Sequence, residues 1–156
     1  DPITLGHLNI VRRAAAVFDK VVVCVMTNSE KSPMFTIEER MELARKVTAR
    51  FSNVEVATTD MLLAEYAKQF DGAVIVKGLR ALSDFDYEFQ IALINKKMNP
   101  QLETMFLTAS EKYTYLSSSV VKEMARYGAD LSDFVPIEII GDVLGRTNSL
   151  RRQKAQ

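Results

Sequence analysis

The segment Val21-Val-Val-Cys-Val-Met-Thr27 shows no alternation of apolar and polar residues. A strand with one face in water would alternate, so this run predicts a strand covered on both faces, as in a parallel sheet flanked by helices. Its surroundings agree. Leu8, Val11, Ala15 and Phe18 fall on one helical face ahead of it. Thr36-Ile-Glu-Glu39 has capping-box spacing and opens a helix running to about Arg50, with Ile37, Met41, Ala44 and Val47 on its buried stripe. Strands are predicted over Val54–Thr58, Ala73–Lys77 and Thr104–Thr108. Between them lie predicted helices over Met61–Phe70 and Asp84–Asn99, the latter stopped by Pro100, and Ser118–Tyr127 follows with Gly128 at its C′ position. Alternation of this kind means right-handed crossovers, an α/β fold and a parallel sheet with helices on both faces.

A length of 156 residues fits a single domain, with residues 146–156 read as a polar tail and Pro136–Leu144 as a short helix or strand. Apolar residues make up 47% and charged residues 26%, which excludes wholesale disorder. Twenty basic side chains balance 20 acidic ones, which argues against a general nucleic-acid coat. The run Val21–Met26 is far too short for a membrane span. Cys24 is the one cysteine, so neither an internal disulfide nor a Cys-rich zinc site is expected, and its apolar neighbours mark it as core. The expectation is a soluble, cytoplasmic chain that binds neither membrane nor nucleic acid.

In parallel sheets, ligands bind beyond the carboxyl ends of the strands. That rule gathers four loops into one candidate site: Asp1–His7, Thr27–Met34, Lys77–Asp84 and Ala109–Ser119. Gly6 lets a ligand phosphate approach the backbone at a helix start, and His7, the one histidine, stands on the same turn. Alone, His7 reads first as a surface or capping residue. Lys31, Lys77 and Arg80 each follow a predicted strand, and they read equally as solvated surface charges or, converging on one rim, as a polyphosphate clamp. Ser117-Ser118-Ser119 precedes a helix, as a second phosphate cradle or a simple N-cap. Asp84 and Asp86 are best explained as first-turn acids that complement a helix dipole, and no protein metal site is expected. Mg²⁺ would arrive with a nucleotide, held by phosphates and water. Walker A and Gly-x-Gly-x-x-Gly loops are absent from the sequence.

Four segments taken in order, Asp1-Pro-Ile-Thr-Leu-Gly-His7, Lys31-Ser-Pro-Met-Phe-Thr-Ile-Glu-Glu-Arg40, Lys77-Gly-Leu-Arg-Ala-Leu-Ser-Asp-Phe-Asp-Tyr-Glu88 and Tyr113-Thr-Tyr-Leu-Ser-Ser-Ser-Val-Val-Lys-Glu123, resemble the bacterial phosphopantetheine adenylyltransferases. The first and last carry the signatures of the wider nucleotidyltransferase superfamily, and the middle two narrow the likeness. The resemblance implies a Rossmann-like sheet and transfer of AMP from ATP to 4′-phosphopantetheine, giving dephospho-CoA and pyrophosphate. It implies His7, Lys31 and Arg80 as catalytic residues. For ATP it implies His7, Gly78, Leu79, Arg80, Glu88 and the run Tyr113, Thr114, Tyr115, Leu116, Ser117, Ser118 and Ser119. For phosphopantetheine it implies Lys31, Leu63 and Lys77, with Mg²⁺ accompanying ATP, coenzyme A as a feedback ligand and a hexameric homo-oligomer. Two readings stay beside it: a related nucleotidyltransferase with another phosphate acceptor, and a nucleotide- or coenzyme A-binding module without catalysis.

The sequence departs from the family at two places. Lys77 stands where many members have arginine, which keeps the charge and gives up the bidentate fork. The family also has a strand of roughly 5–6 residues, central in its sheet, that leads into Gly-(Ser/Thr)-Phe ahead of the Asp-Pro. The resemblance therefore implies such a segment upstream of Asp1.

Overall fold

The computed structural model describes residues 1–27 and 32–154. Ten elements run in the order α1 (Leu5–Ala15), β1 (Val21–Val25), α2 (Ile37–Thr48), β2 (Val54–Thr58), α3 (Leu63–Tyr66), β3 (Val74–Leu79), α4 (Leu82–Met98), β4 (Glu103–Thr108), α5 (Ser118–Tyr127) and α6 (Ile140–Lys154), with short 3₁₀ turns after α3, after β4 and before α6. The fold is α/β with parallel strands, as the alternation requires. Among the described residues the strands form two separate two-stranded sheets. β1 pairs with β2 from Val21↔Val54 to Val25↔Thr58, and β3 pairs with β4 from Val74↔Glu103 to Leu79↔Thr108.

This division corrects one expectation. Of β1 only Val25 is buried, and Val21–Cys24 are half-buried instead of covered on both faces. Their side chains border a cavity of about 1680 Å³ that also reaches Val74, Ile75 and Val76 of β3. α1 bridges the two sheets. Asn53 Nδ2, beside β2, donates to the carbonyls of Ala15 and Phe18 at 2.9 and 3.0 Å, satisfying the end of α1. On the other side Arg13 Nη1 donates to Thr108 O at 2.6 Å. Gly78 of β3 lies so close to α1 that a Cβ there would meet Ile10 Cγ1 at 2.8 Å and force the Ile10 side chain to shift.

Local rules explain most element ends. Thr36 accepts from Glu39 N and Glu39 accepts from Thr36 N, the predicted capping box. Gly128 closes α5 at φ 73°, a left-handed conformation that disfavours other residues. The buried side of α2 is Leu43, Ala44, Val47 and Thr48, rotated from the predicted stripe, with Ile37 and Met41 only half-buried. The helix predicted over Met61–Phe70 shrinks to α3 and a 3₁₀ turn, Ala67–Gln69. α4 starts at Leu82, two residues ahead of Asp84.

The polar tail is the largest correction. Residues 146–154 continue α6. Thr147 is buried with its hydroxyl donating to Val143 O at 2.9 Å, and Val143 is fully buried. The main core gathers Leu8, Leu43, Val47, Val121, Leu131, Val135, Ile139 and Val143 between α1, α2, α5 and α6. A second, smaller cluster holds Ala64, Ala67, Ile75 and Leu102 beneath β3.

Candidate active site

His7 is the third residue of α1, and its ring closes an unusual capping box. Thr4, the N-cap, is buried at 1% exposure, and its hydroxyl accepts from His7 N at 3.3 Å. In return Thr4 N donates to His7 Nδ1 at 3.0 Å, and Thr4 Oγ1 lies 2.9 Å from the same nitrogen. A nitrogen that accepts an amide N–H carries no proton. In the neutral ring the proton therefore sits on Nε2, which becomes the ring's donor. A Cβ on Gly6 would meet Thr4 Oγ1 at 3.5 Å and Tyr113 Cβ at 3.6 Å, ordinary contacts. Packing within the protein does not require glycine there, which leaves close ligand approach as its physical use.

Side chains stitch the four predicted loops together. Asp1 Oδ2 accepts from Met34 N and Phe35 N, both at 2.8 Å. Ser118 Oγ donates to Pro2 O at 2.8 Å. Arg80 Nη1 donates to Leu116 O at 3.1 Å. Ser110 Oγ bonds Asn9 Oδ1 at 2.9 Å, tying the end of β4 to α1. These bonds bring the loops at the strand carboxyl ends together.

Two cations on the rim each meet a carboxylate. Arg80 Nε and Nη2 form a fork on Asp84 Oδ2 and Oδ1 at 2.9 and 3.0 Å, and Arg80 N donates to Oδ2 at 3.1 Å. Arg80, through these hydrogen bonds first, holds the Asp84 carboxyl below the usual aspartate range. One N–H on each Nη of Arg80 is left for a ligand. Asp84 was read from sequence as a helix-dipole acid; its carboxylate does more, fixing the guanidinium between the start of α4 and Leu116. Lys77 Nζ lies 3.1 Å from Glu88 Oε2, an oxygen otherwise buried without a hydrogen-bond partner.

Of the residues predicted for the site, His7, Leu63, Lys77, Gly78, Arg80, Glu88, Tyr113, Leu116, Ser117, Ser118 and Ser119 border the cavity. Leu79, Thr114 and Tyr115 do not border it, and Lys31 lies outside the described residues. Ser117 is the N-cap of α5, accepting from Val120 N at 3.2 Å, so the capping reading of the serine run holds for that residue. Lys122, one turn on, also faces the cavity.

Arg40 was missed. It borders the cavity, its Nη2 donates to Met26 O at 2.9 Å, and burial pushes its pKa below the usual arginine value. Its sequence context, after a capping box on a polar helix, reads as solvent-facing. Burial likewise pushes the Cys24 thiol up, in keeping with a packing role. Among the described residues no group of three His, Cys, Asp or Glu side chains stands ready to hold a metal ion. The arrangement suits a phosphate-bearing ligand: a fixed ring donor, a helix N-terminus, an ammonium, a guanidinium and serine hydroxyls around one cavity.

The cytidylyltransferase-like family matches residues 1–124. A curated relative from Caldanaerobacter subterraneus subsp. tengcongensis, named phosphopantetheine adenylyltransferase, is 56% identical over 136 residues, covering 87% of this chain and 85% of the relative. One of the same name from Clostridium botulinum is 49% identical over 148 residues, covering 95% of this chain and 90% of the relative.

Proposed function

The chain belongs to the phosphopantetheine adenylyltransferases of the cytidylyltransferase-like family, and from that membership we propose how its residues divide the reaction among them. The activity is transfer of the adenylyl group of ATP to 4′-phosphopantetheine, yielding dephospho-CoA and pyrophosphate in coenzyme A synthesis. A phosphate oxygen of the acceptor attacks the α-phosphorus, and the bond from that phosphorus to the pyrophosphate oxygen breaks. No covalent enzyme intermediate is needed, so the protein's contribution is positioning and stabilisation of charge.

One observation carries the assignment: the His7 ring, fixed by Thr4 with Nδ1 as acceptor, borders the same cavity as Lys77 and Arg80. We assign the ring's Nε2–H to the α-phosphate oxygen on which charge builds. Arg80, braced by Asp84, uses its remaining N–H groups on the polyphosphate, beside Gly78, Glu88 and the Tyr113–Ser119 loop. Lys77 and Lys31 hold the acceptor phosphate, and Leu63 packs against the pantetheine arm. For Leu79, Thr114 and Tyr115 the cavity offers no support.

Mg²⁺ enters with ATP. The Asp84 carboxylate is taken up by Arg80, so the residues fit an ion carried by phosphate oxygens and water better than one caged by protein. The ion offsets phosphate charge. Coenzyme A contains the product's own pantetheine and adenylyl parts, so the same cavity accepts it as a feedback ligand. A homo-oligomer, a hexamer by resemblance, is supported by the apolar outer face of α4, where Leu82 and Leu93 are 86% and 56% exposed. No described helix is long and apolar enough to cross a membrane, and a cytoplasmic location is the reading we adopt.

The test is pyrophosphate release with ATP and 4′-phosphopantetheine. His7→Ala is expected to lower kcat by about 10²–10³, the cost of one transition-state donor, with little change in KM for ATP. Turnover near that of the unsubstituted enzyme would overturn the role.

A further inference from the structure

Two acids of α4, Asp84 and Glu88, stand four residues apart and so share one face of the helix. Each meets a cation from the carboxyl end of β3, Asp84 with Arg80 and Glu88 with Lys77. The two pairs are built differently. Asp84 uses both oxygens, receiving Nε and Nη2 of the Arg80 fork and the Arg80 backbone N–H. Leu116 O holds the same guanidinium through Nη1. Glu88 Oε2 lies 3.1 Å from Lys77 Nζ, yet it is buried and, among the described residues, no hydrogen bond reaches it. The contact has the length of a hydrogen bond without its direction.

A buried carboxylate oxygen without a hydrogen bond has lost its water and gained no directed partner, which costs stability. A group kept in that state calls for a use. The Lys77 and Glu88 side chains are 32% and 23% exposed, and both residues border the cavity that holds the candidate site. An ammonium is a point charge on a flexible stem with three N–H groups. A carboxylate beside it offsets much of the charge that an incoming phosphate would meet, so phosphate and Glu88 compete for Lys77. Arg80 is under no such competition, because its fork keeps N–H groups for a ligand while Asp84 stays in place. One rim cation is fixed and the other is exchangeable.

We infer that Glu88 is a positioning residue that holds Lys77 in reserve, and that the acceptor phosphate takes the ammonium from the carboxylate as it binds. With Lys77 so paired, the empty site offers small anions little uncompensated charge. A ligand must bring further contacts to displace Glu88. The inference rests on the assignment of Lys77 to the acceptor phosphate.

The test is a double-mutant cycle in the full chain, read as KM for each substrate. Glu88→Gln keeps the shape of the side chain and removes its charge. It is expected to lower KM for 4′-phosphopantetheine about 3-fold, the size of effect for a partly exposed ion pair. KM for ATP is expected not to fall, since Glu88 is assigned to the nucleotide. In a Lys77→Ala background the same substitution is expected to leave the acceptor KM unchanged. An acceptor KM that is unchanged or raised in folded Glu88→Gln would overturn the inference. So would an equal fall in both KM values, the pattern of a general loss of negative charge from the cavity. A fall that persists in the Lys77→Ala background has the same force, because the effect would not pass through Lys77. Should Glu88→Gln not fold, Glu88→Asp draws the carboxylate back by one methylene, and an acceptor KM at or above that of the parent then overturns the inference. The functional reading fails separately, if the parent releases no pyrophosphate in dependence on 4′-phosphopantetheine or if Lys77→Ala alone leaves the acceptor KM at the parent value, and the inference falls with it.

Discussion

Around α2, α5 and α6 the chain buries Val121, Val135, Ile139 and Val143 completely, whereas along α4 it leaves Leu82, Tyr87, Phe89, Leu93 and Ile94 between 45% and 86% exposed. The two regions place their apolar side chains in opposite surroundings. In the first, helices close on one another around a fully buried set of side chains. In the second, Phe85 stacks on Phe89 and meets Phe106 of β4 edge-on, which fixes α4 on one side only. Three rings in contact hold the helix to its sheet and cover none of its outer face. The contrast teaches that the core around α6 is stabilised within one chain, while the outer face of α4 has the apolar area of a contact surface.

Substitutions in the two regions should therefore separate cleanly. The largest effect is expected at Ile139→Ala, which opens a cavity in the closed core and should cost about 2–5 kcal/mol in denaturant unfolding. A cost below about 1 kcal/mol would mean that this region is not the tight one. Leu93→Glu comes next. It places a charge on the outer face of α4 and should reduce the assembled mass seen in sedimentation, with helix content retained. Unchanged mass would remove α4 from the contact surface.

The smallest effect concerns the rim between the regions, where Arg80 joins α4 to Leu116. Asp84 has its folded pKa below its unfolded value, so its contribution is complete above the unfolded value and is lost as pH falls through the folded one. Both side chains are partly exposed, at 40% and 25%, so the contribution is well under about 1 kcal/mol. Stability should accordingly fall slightly more between about pH 5 and about pH 3 in the parent than in Asp84→Asn. Equal acid limbs would show that the pair contributes nothing.

The order of strands and helices was legible because apolar period and caps are local. Val54–Thr58 and Ser118–Tyr127 are found where they were predicted. The Thr36–Glu39 box was legible from spacing, and Thr4–His7 has the same spacing with an imidazole in the carboxylate's place, a signal that would have revealed the ring's capping role. What escaped was nonlocal. Residues 146–156 read as a tail because their composition is polar; Arg146 finds Glu39 on α2, 107 residues away. Arg40 reads as solvent-facing and Asp84 as a helix-dipole acid for the same reason, since Met26 O and the full Arg80 fork appear only after folding. β1 misled in the opposite direction. Its unbroken apolar run implies two covered faces, yet Val21–Cys24 border the cavity between the sheets.

The central claim is that the Thr4 box holds His7 with Nδ1 unprotonated and that Nε2–H serves the α-phosphate when the nucleotide binds. The sequence contains one histidine, so the nitrogen NMR spectrum of that single ring reports its tautomer without ambiguity. The account predicts the proton on Nε2 in the neutral ring, and a change at Nε2 when ATP and Mg²⁺ are added. A proton on Nδ1, or a ring that does not respond to the nucleotide, would contradict it.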